Sequence, residues 1–427
     1  MNTITLMTAI AFILFMSAGV TGPVNSLYVE SLGASYVIIG LLGTVTSLIA
    51  ISFSYVWGHA SDHLGQRKIF LVSGLATIAV SYGLIAIVPS YAYLFPLRIL
   101  SAISQAAYGT SSLALMGDLL ERRPDERGRR MGTFRGLCSL GFGLMAFTSG
   151  SIADWLSLRV PFGLAAVFAA VAFVLALSIR EPASDSARRP IQTFTPADAW
   201  AYLRSLLRSS WKGLTTRVGQ LLTASRPQAE EKDQLPLSPL LISAFLWSLA
   251  TGAVYAVWAN YMVGELGYSQ GTMSRLWALA STSEFPLMIL AGWLSDRIGR
   301  LPMLSLGFLA WTLVFLGYVF APTMPWIALI QLTRGFAYSA FTATAMTYAA
   351  EARSRSQRGR VSGLYSAAGG VGSILGSSLG GTLTQLTSFR IMIGTNAALI
   401  FGGAVYLALM AVRWRDAWRA TRKVPST

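Results

Sequence analysis

Five residues sit where their chemistry stands out, inside long apolar runs. Glu284, in Ser283-Glu284-Phe285-Pro286, lies further inside such a run than any other acid. Burial favours the neutral form of a carboxyl, so Glu284 could take up and release a proton. Arg98, Arg135, Arg275 and Arg334 place cations in comparable runs. A cation there is costly and must face a polar interior or a partner. Arg98 and Arg334 could bind an anionic group of a solute, tune a proton carrier, or tie two helices together. Arg275 is nine residues from Glu284, about two and a half turns, too far for a pair along one helix.

Other chemistries lack their residues. The chain has two histidines, His59 and His63, and one cysteine, Cys138. They cannot form a zinc site on their own or an internal disulfide. A membrane enzyme would need His, Asp or Cys clustered at one face, and neither histidine has such neighbours. No Gly-x-x-x-x-Gly-Lys loop for ATP occurs. No metal, cofactor or enzymatic activity is expected.

A second pattern is a polar turn that occurs twice. Gly58-His59-Ala60-Ser61-Asp62-His63-Leu64-Gly65-Gln66-Arg67-Lys68 stands between two apolar runs, as does Gly292-Trp293-Leu294-Ser295-Asp296-Arg297-Ile298-Gly299-Arg300. Asp62 and Asp296 are 234 residues apart. Other landmarks repeat similarly: Glu30 to Gly33 and Glu265 to Gly267, Arg98 and Arg334, Arg127-Gly128 and Arg358-Gly359. Their offsets of 231 to 236 residues indicate a duplicated half.

The elements that must position these residues are apolar. Of 427 residues, 54% are hydrophobic and 12% charged, with mean hydropathy +0.55. A soluble domain carries about a quarter charged residues. A span of about 20 apolar residues crosses the hydrocarbon core. Twelve are expected: 4–29, 35–57, 69–88, 91–117, 131–153, 160–180, 238–263, 270–291, 302–321, 325–349, 361–385 and 391–412. No ten-residue alternation suggests a barrel, so the spans are helices. The first is read as retained, since it lacks a basic leader and a cleavage site. Of 33 Lys and Arg, 27 fall on the side holding both termini, two opposite (Arg159 and Arg390), and four within spans. That bias places both termini in the cytoplasm. It also accounts for the net charge of +15 through topology, with no nucleic-acid partner.

The expected plan is a six-helix bundle (1–180), a cytoplasmic linker (181–237), a second six-helix bundle (238–412) and a basic tail (413–427). Within the linker, 196–223 reads as a basic amphipathic helix. It either lies on the membrane surface or packs on the protein's own inner loops.

The turns resemble the loop motif of the major facilitator superfamily, Gly-x-Leu-Ala-Asp-Arg-x-Gly-Arg-Lys, and the likeness extends over nearly the whole chain. The first copy matches at Gly58, Asp62, Gly65 and Lys68, with Arg67 also basic; it has Ala60 for Leu and His63 for Arg. The second matches at Gly292, Leu294, Asp296, Arg297, Gly299 and Arg300, then has Leu301. Arg98 looks like the family's fourth-span arginine. The antiporter signature Gly-Pro-x-x-Gly-Gly is absent from the fifth span, where Gly141-Phe142-Gly143 precedes Leu144-Met145.

The resemblance implies two pseudo-symmetric six-helix halves that rock around one site. It implies that Asp62 meets the start of the eleventh span near Gly359 to Val361, and Asp296 the start of the fifth. Those contacts would be latches, or else the turns serve topology alone. The first, fourth, seventh and tenth spans would line the cavity. They offer Asn25, Tyr28, Arg98, Gln105, Tyr108, Tyr255, Trp258, Asn260, Arg334 and Tyr338. That mixed aromatic and polar set suits a medium-sized amphipathic or weakly anionic solute.

The expectation is a monomeric, lipid-embedded secondary transporter in a bacterial or archaeal plasma membrane. It would carry a small organic solute, coupled to protons, with export favoured. Proton-coupled uptake of an organic anion or sugar-like metabolite is the alternative. A non-transporting sensor on the same fold is a third reading.

Overall fold

The computed structural model describes residues 3–64, 66–121, 127–179, 236–320, 323–352 and 358–414. The expected linker helix and most of the basic tail lie outside these residues. So do Gly65 and the side chain of Asp62.

Thirteen α-helices run through the described residues: α1 Thr3–Thr21, α2 Asn25–Ser31, α3 Tyr36–Leu64, α4 Arg67–Ile87, α5 Leu94–Glu121, α6 Arg127–Trp155 and α7 Val160–Leu177, then α8 Leu237–Asn260, α9 Gln270–Ile298, α10 Arg300–Phe320, α11 Met324–Glu351, α12 Arg358–Leu386 and α13 Phe389–Arg413. The expected first span is therefore two helices. Pro23 has no N–H to continue the ladder, and the Gly22-Pro23-Val24 turn redirects the chain into α2. The seventh span ends in a π turn, Tyr261–Glu265.

Eight helices are long and apolar enough to cross a membrane: α1, α3, α4, α6, α7, α8, α10 and α13. Of the other five, α2 has seven residues and α5, α9, α11 and α12 have 28 or 29. That length spans the core with room to spare. They are more polar because they carry Arg98, Glu284, Arg334 and a glycine-rich run.

Packing repeats across the two sets of helices. α1 packs on α6 and α7, α4 on α5 and α7, and α3 on α5. In the second set α8 packs on α12 and α13, α10 on α11 and α13, and α9 on α11. The halves meet through α3 against α12 and α6 against α9.

The polar turns are tighter than the sequence suggested. Gly58 to Leu64 and Gly292 to Ile298 are still helical. In the second copy the link is Gly299 alone, at φ +103°, a backbone state that a β-carbon disfavours. Gly33 and Gly267, at φ +86° and +72°, make matching turns ahead of α3 and α9. The end bearing Arg67, Lys68, Arg297 and Arg300 is here the basic end; the opposite one is the far end.

Candidate functional site

Arg334 is the centre of a cluster built by α8 to α11. It is 7% exposed. Its Nη1 donates to Gln331 Oε1 at 3.2 Å, and the Tyr318 hydroxyl donates to the same oxygen at 3.3 Å. The guanidinium carbon lies 5.0 Å from the Tyr255 ring centre and 4.9 Å from that of Trp277. Cation–π contacts of this kind are worth about 0.5–2 kcal/mol, most when desolvated. Trp258 continues the wall, 5.3 Å from Trp277 and 5.9 Å from Tyr318. Trp311 stands 6.0 Å from Tyr255.

The cluster is rich in unspent donors. Trp311 Nε1 and Gln331 Nε2 are buried with no hydrogen-bond partner among the described residues, and the Tyr255 hydroxyl and Trp258 Nε1 have only the Tyr318 hydroxyl beside them. Buried donors left unpaired cost about 1–3 kcal/mol each. A solute presenting acceptors beside a negative group would satisfy them.

Glu284 stands on α9 next to this cluster. Its charge and that of Arg334 act on each other, yet no ion pair joins them among the described residues. Its backbone carbonyl accepts from Ser339 Oγ at 3.0 Å, which fixes α9 against α11. Pro286 inside α9 removes one helical N–H. Arg275 points elsewhere: its Nη2 donates to Ser151 Oγ of α6 at 3.2 Å.

The first half holds a smaller cluster. Arg98 Nη2 donates to Asn25 Oδ1, and its guanidinium lies 5.8 Å from the Phe162 ring centre. Tyr28 is fully buried, 4.4 Å from Phe162 between ring centres, and its hydroxyl donates to the Ile85 carbonyl at 2.5 Å. Gln105 Nε2 donates to Ser101 Oγ at 2.9 Å along α5. The Tyr108 hydroxyl is buried without a partner among the described residues. Of the ten cavity candidates, Tyr255, Trp258, Arg334 and Tyr338 gather in the second half; Tyr338 reaches it through Trp247, 5.9 Å away.

Asn260 belongs to a seal at the far end. Its Nδ2 donates to Glu30 Oε2 at 2.6 Å and to the Ser26 carbonyl at 3.3 Å, crossing between halves. Glu30 Oε1 accepts from the Tyr36 hydroxyl at 2.9 Å. Asp154 of α6 accepts from the first N–H groups of α9, Gln270 at 3.2 Å and Gly271 at 2.7 Å. The exposed N–H groups and dipole of a helix start favour a carboxylate there. Four glycines let the backbones touch: Gly40 on Ser377, Gly381 on Tyr36, Gly150 on Gln270, and Gly271 on Ser151 and Asp154. Gly40 to Gly271 and Gly150 to Gly381 are both 231 residues. Toward the basic end the same four helices carry Gly58, Gly136, Gly292 and Gly363, and no described residue lies within reach of a β-carbon at any of them.

At the basic end, Arg300 binds Glu351 through Nε at 2.9 Å and Nη2 at 2.7 Å. Its Nη1 reaches Asp296 at 2.5 Å and Ser295 Oγ at 3.0 Å. Asp296 thus has a partner within its own half; the side chains that open α6 lie outside the described residues, as does that of Asp62. Arg297 stacks on Trp293, 3.7 Å from its ring centre. In the first copy Arg67 pairs with Asp118 at 2.8 Å, and Lys68 Nζ donates to the Leu177 carbonyl at 2.8 Å.

Sequence reasoning missed Trp277, Gln331, Tyr318 and Trp311, and the acids Asp118 and Glu351. Two signals were available. Gln331 and Arg334 share a helix face at a spacing of three, as Trp277 and Glu284 do at seven. Asp118 and Glu351 repeat the 233-residue offset of Arg67 and Arg300.

A family model described as MFS_1 like family matches residues 4–393. Sugar efflux transporter A of Dickeya chrysanthemi is 22% identical over 398 residues, covering 93% of this chain and 92% of that protein. Quinolone resistance protein NorA of Staphylococcus aureus is 24% identical over 207 residues, 48% of this chain and 50% of that one. A solved structure concerning proton dependent oligopeptide transporters superposes with TM-score 0.78 at 12% identity, over 97% of this chain and 99% of that one. The last likeness is one of fold.

Proposed function

The chain belongs to the MFS_1 like family and is a membrane transporter, and on that premise we propose that it exports a small organic solute by proton-coupled alternating access. The solute carries hydrogen-bond acceptors and a weakly anionic group, and it binds at Arg334 among Tyr255, Trp258 and Trp277. The carrying observation is the buried guanidinium ringed by aromatic faces and unpartnered donors. Glu284 is the proton carrier, placed where its charge acts on Arg334. A neutral Glu284 leaves Arg334 to the solute, and an ionised one competes with it.

The Lys and Arg bias makes the basic end cytoplasmic. With the far end sealed at Glu30, Asn260 and Asp154 and the basic-end glycines uncovered by any described residue, this conformation is inward-facing. The relative named for sugar efflux supports export. One chain contains both halves of the path, so the working unit is a monomer.

The test is flux in proteoliposomes. Candidate solutes are first ranked by thermal shift on purified protein. A pH gradient should then drive accumulation of a hit. Glu284→Gln should abolish that accumulation and leave solute exchange largely intact. Accumulation unchanged in Glu284→Gln removes this residue from the mechanism. If no solute under any gradient gives flux, transport itself is removed.

A further inference from the structure

A gap of about 670 Å³ opens beside α10 and α13 at the basic end. It is set in the outer surface, where Leu313, Leu409 and Val412 are more than half exposed. Leu301, Leu306 and Leu309 form one wall; Ala408, Ala411 and Val412 form the other. Its length along α10, from Leu301 to Leu309, is about 12 Å at the helical rise.

The gap has a local cause. Ser305 Oγ donates to the Ala404 carbonyl at 2.9 Å, and Gly403 lets α13 lie under the Phe308 ring. The helices are clamped there. Nearer the basic end α13 presents the methyl groups of Ala408 and Ala411 with Val412 beside them, and the space opposite Leu301 stays open. An unfilled apolar gap forfeits dispersion contacts on one side, and in a membrane the neighbouring material is acyl chain.

The mouth of the gap is cationic. Arg297 and Arg300 both line it. Arg300 is committed to Asp296 and Glu351. Arg297 is exposed, makes no ion pair among the described residues, and lies flat on Trp293. Stacking of that kind leaves the in-plane N–H donors pointing outward, ready for two phosphate oxygens. Trp414 closes the side of the mouth, a residue suited to the headgroup level.

We propose that this groove holds one anionic phospholipid of the adjoining leaflet, with its phosphate on Arg297 and one acyl chain between α10 and α13. Charge at the mouth and apolar walls below it match the two parts of such a lipid. The site is separate from the Arg334 cluster and does not depend on what the protein transports.

The experiment uses the full chain in detergent micelles. Trp414 fluorescence is isolated as the difference between wild type and Trp414→Phe. Phosphatidylglycerol or phosphatidylcholine, each with brominated chains, is titrated in. The anionic lipid should quench Trp414 saturably and at lower mole fraction. Arg297→Gln should cut that preference about fivefold, the factor for one cation near an anionic surface. Ala411→Leu fills the gap and should abolish saturable quenching by both lipids. Equal quenching by the two lipids in wild type overturns the proposal. So does a preference unchanged in Arg297→Gln, a surface substitution that tests the site even where Ala411→Leu does not fold. Competition by glycerol phosphate as effective as by the intact lipid would mean a phosphate site without a chain groove, and also overturns it.

Discussion

Arg300 grips Glu351 with two donors, at 2.9 and 2.7 Å, and ties the start of α10 to the end of α11. Arg67 and Asp118 make the matching tie between α4 and α5. In both halves the arginine follows the helical turns of the polar motif. The motif therefore anchors the basic end within each half, and each half can move as one body. Among the described residues the halves meet in mid-helix, where Thr44 donates to the Ile374 carbonyl, and at the far end.

Glu351→Gln tests the anchor. Arg300 would keep Asp296, a more exposed partner, and lose its two-pronged one. Partly exposed pairs contribute about 1 kcal/mol at most unless their geometry is good, and this geometry is bidentate. The expected result is a stability loss of about 1 kcal/mol, read as a lower thermal unfolding midpoint and reduced turnover. A midpoint and turnover equal to wild type would leave the anchor without effect.

Glu30→Gln tests the seal. Glu30 takes hydrogen bonds from Asn260 of the other half and from Tyr36. Bonds to a charged acceptor contribute about 1.5–3 kcal/mol, and each 1.4 kcal/mol is about tenfold in population. The far-end-open form should rise about tenfold or more. The readout is labelling of a single engineered cysteine at the far end, with Cys138 replaced by serine. Labelling at the wild-type rate would rule the seal out.

Much of the fold was legible because lipid imposes strict rules. Apolar runs of fixed length must be helices, and positive charge marks one side. The repeat of Asp62 at Asp296 and of Gly33 at Gly267 exposed the duplication, and the structure gives Gly33 and Gly267 the same left-handed turn. The site was less legible. Arg334 and Glu284 stood out by their cost in a span, but their proximity depends on how α9 lies against α11. That register follows from Ser339 on the Glu284 carbonyl and leaves no periodic trace. Asn260 read as a cavity residue from its span, yet the π turn that follows it places it in the far-end seal.

Gly150→Leu probes the closure itself. A side chain at Gly150 runs into the backbone of Gln270 and the Ser274 hydroxyl, neither of which can give way while Asp154 caps α9. The far end should stay open and solute flux should stop, with the protein still folded. Gly394→Ala, where a β-carbon meets open space, is the control and should transport normally. Flux in Gly150→Leu at the wild-type rate would show that the halves need not approach this closely.

Arg334→Lys separates charge from shape at the site. Lysine keeps the cation but loses the planar face lying over Tyr255 and Trp277, and the fork that reaches Gln331. Stacked or forked arginines are not replaced by lysine without loss. If the solute is held by charge and the rings jointly, its apparent affinity should fall about thirtyfold, the size of one desolvated cation–π contact of about 2 kcal/mol. Maximal flux should change less. Arg334→Gln, lacking the charge as well, should lose gradient-driven accumulation altogether. An unchanged affinity in Arg334→Lys, with accumulation retained in Arg334→Gln, would make Arg334 a helix tie and move the solute site to Arg98 and Asn25.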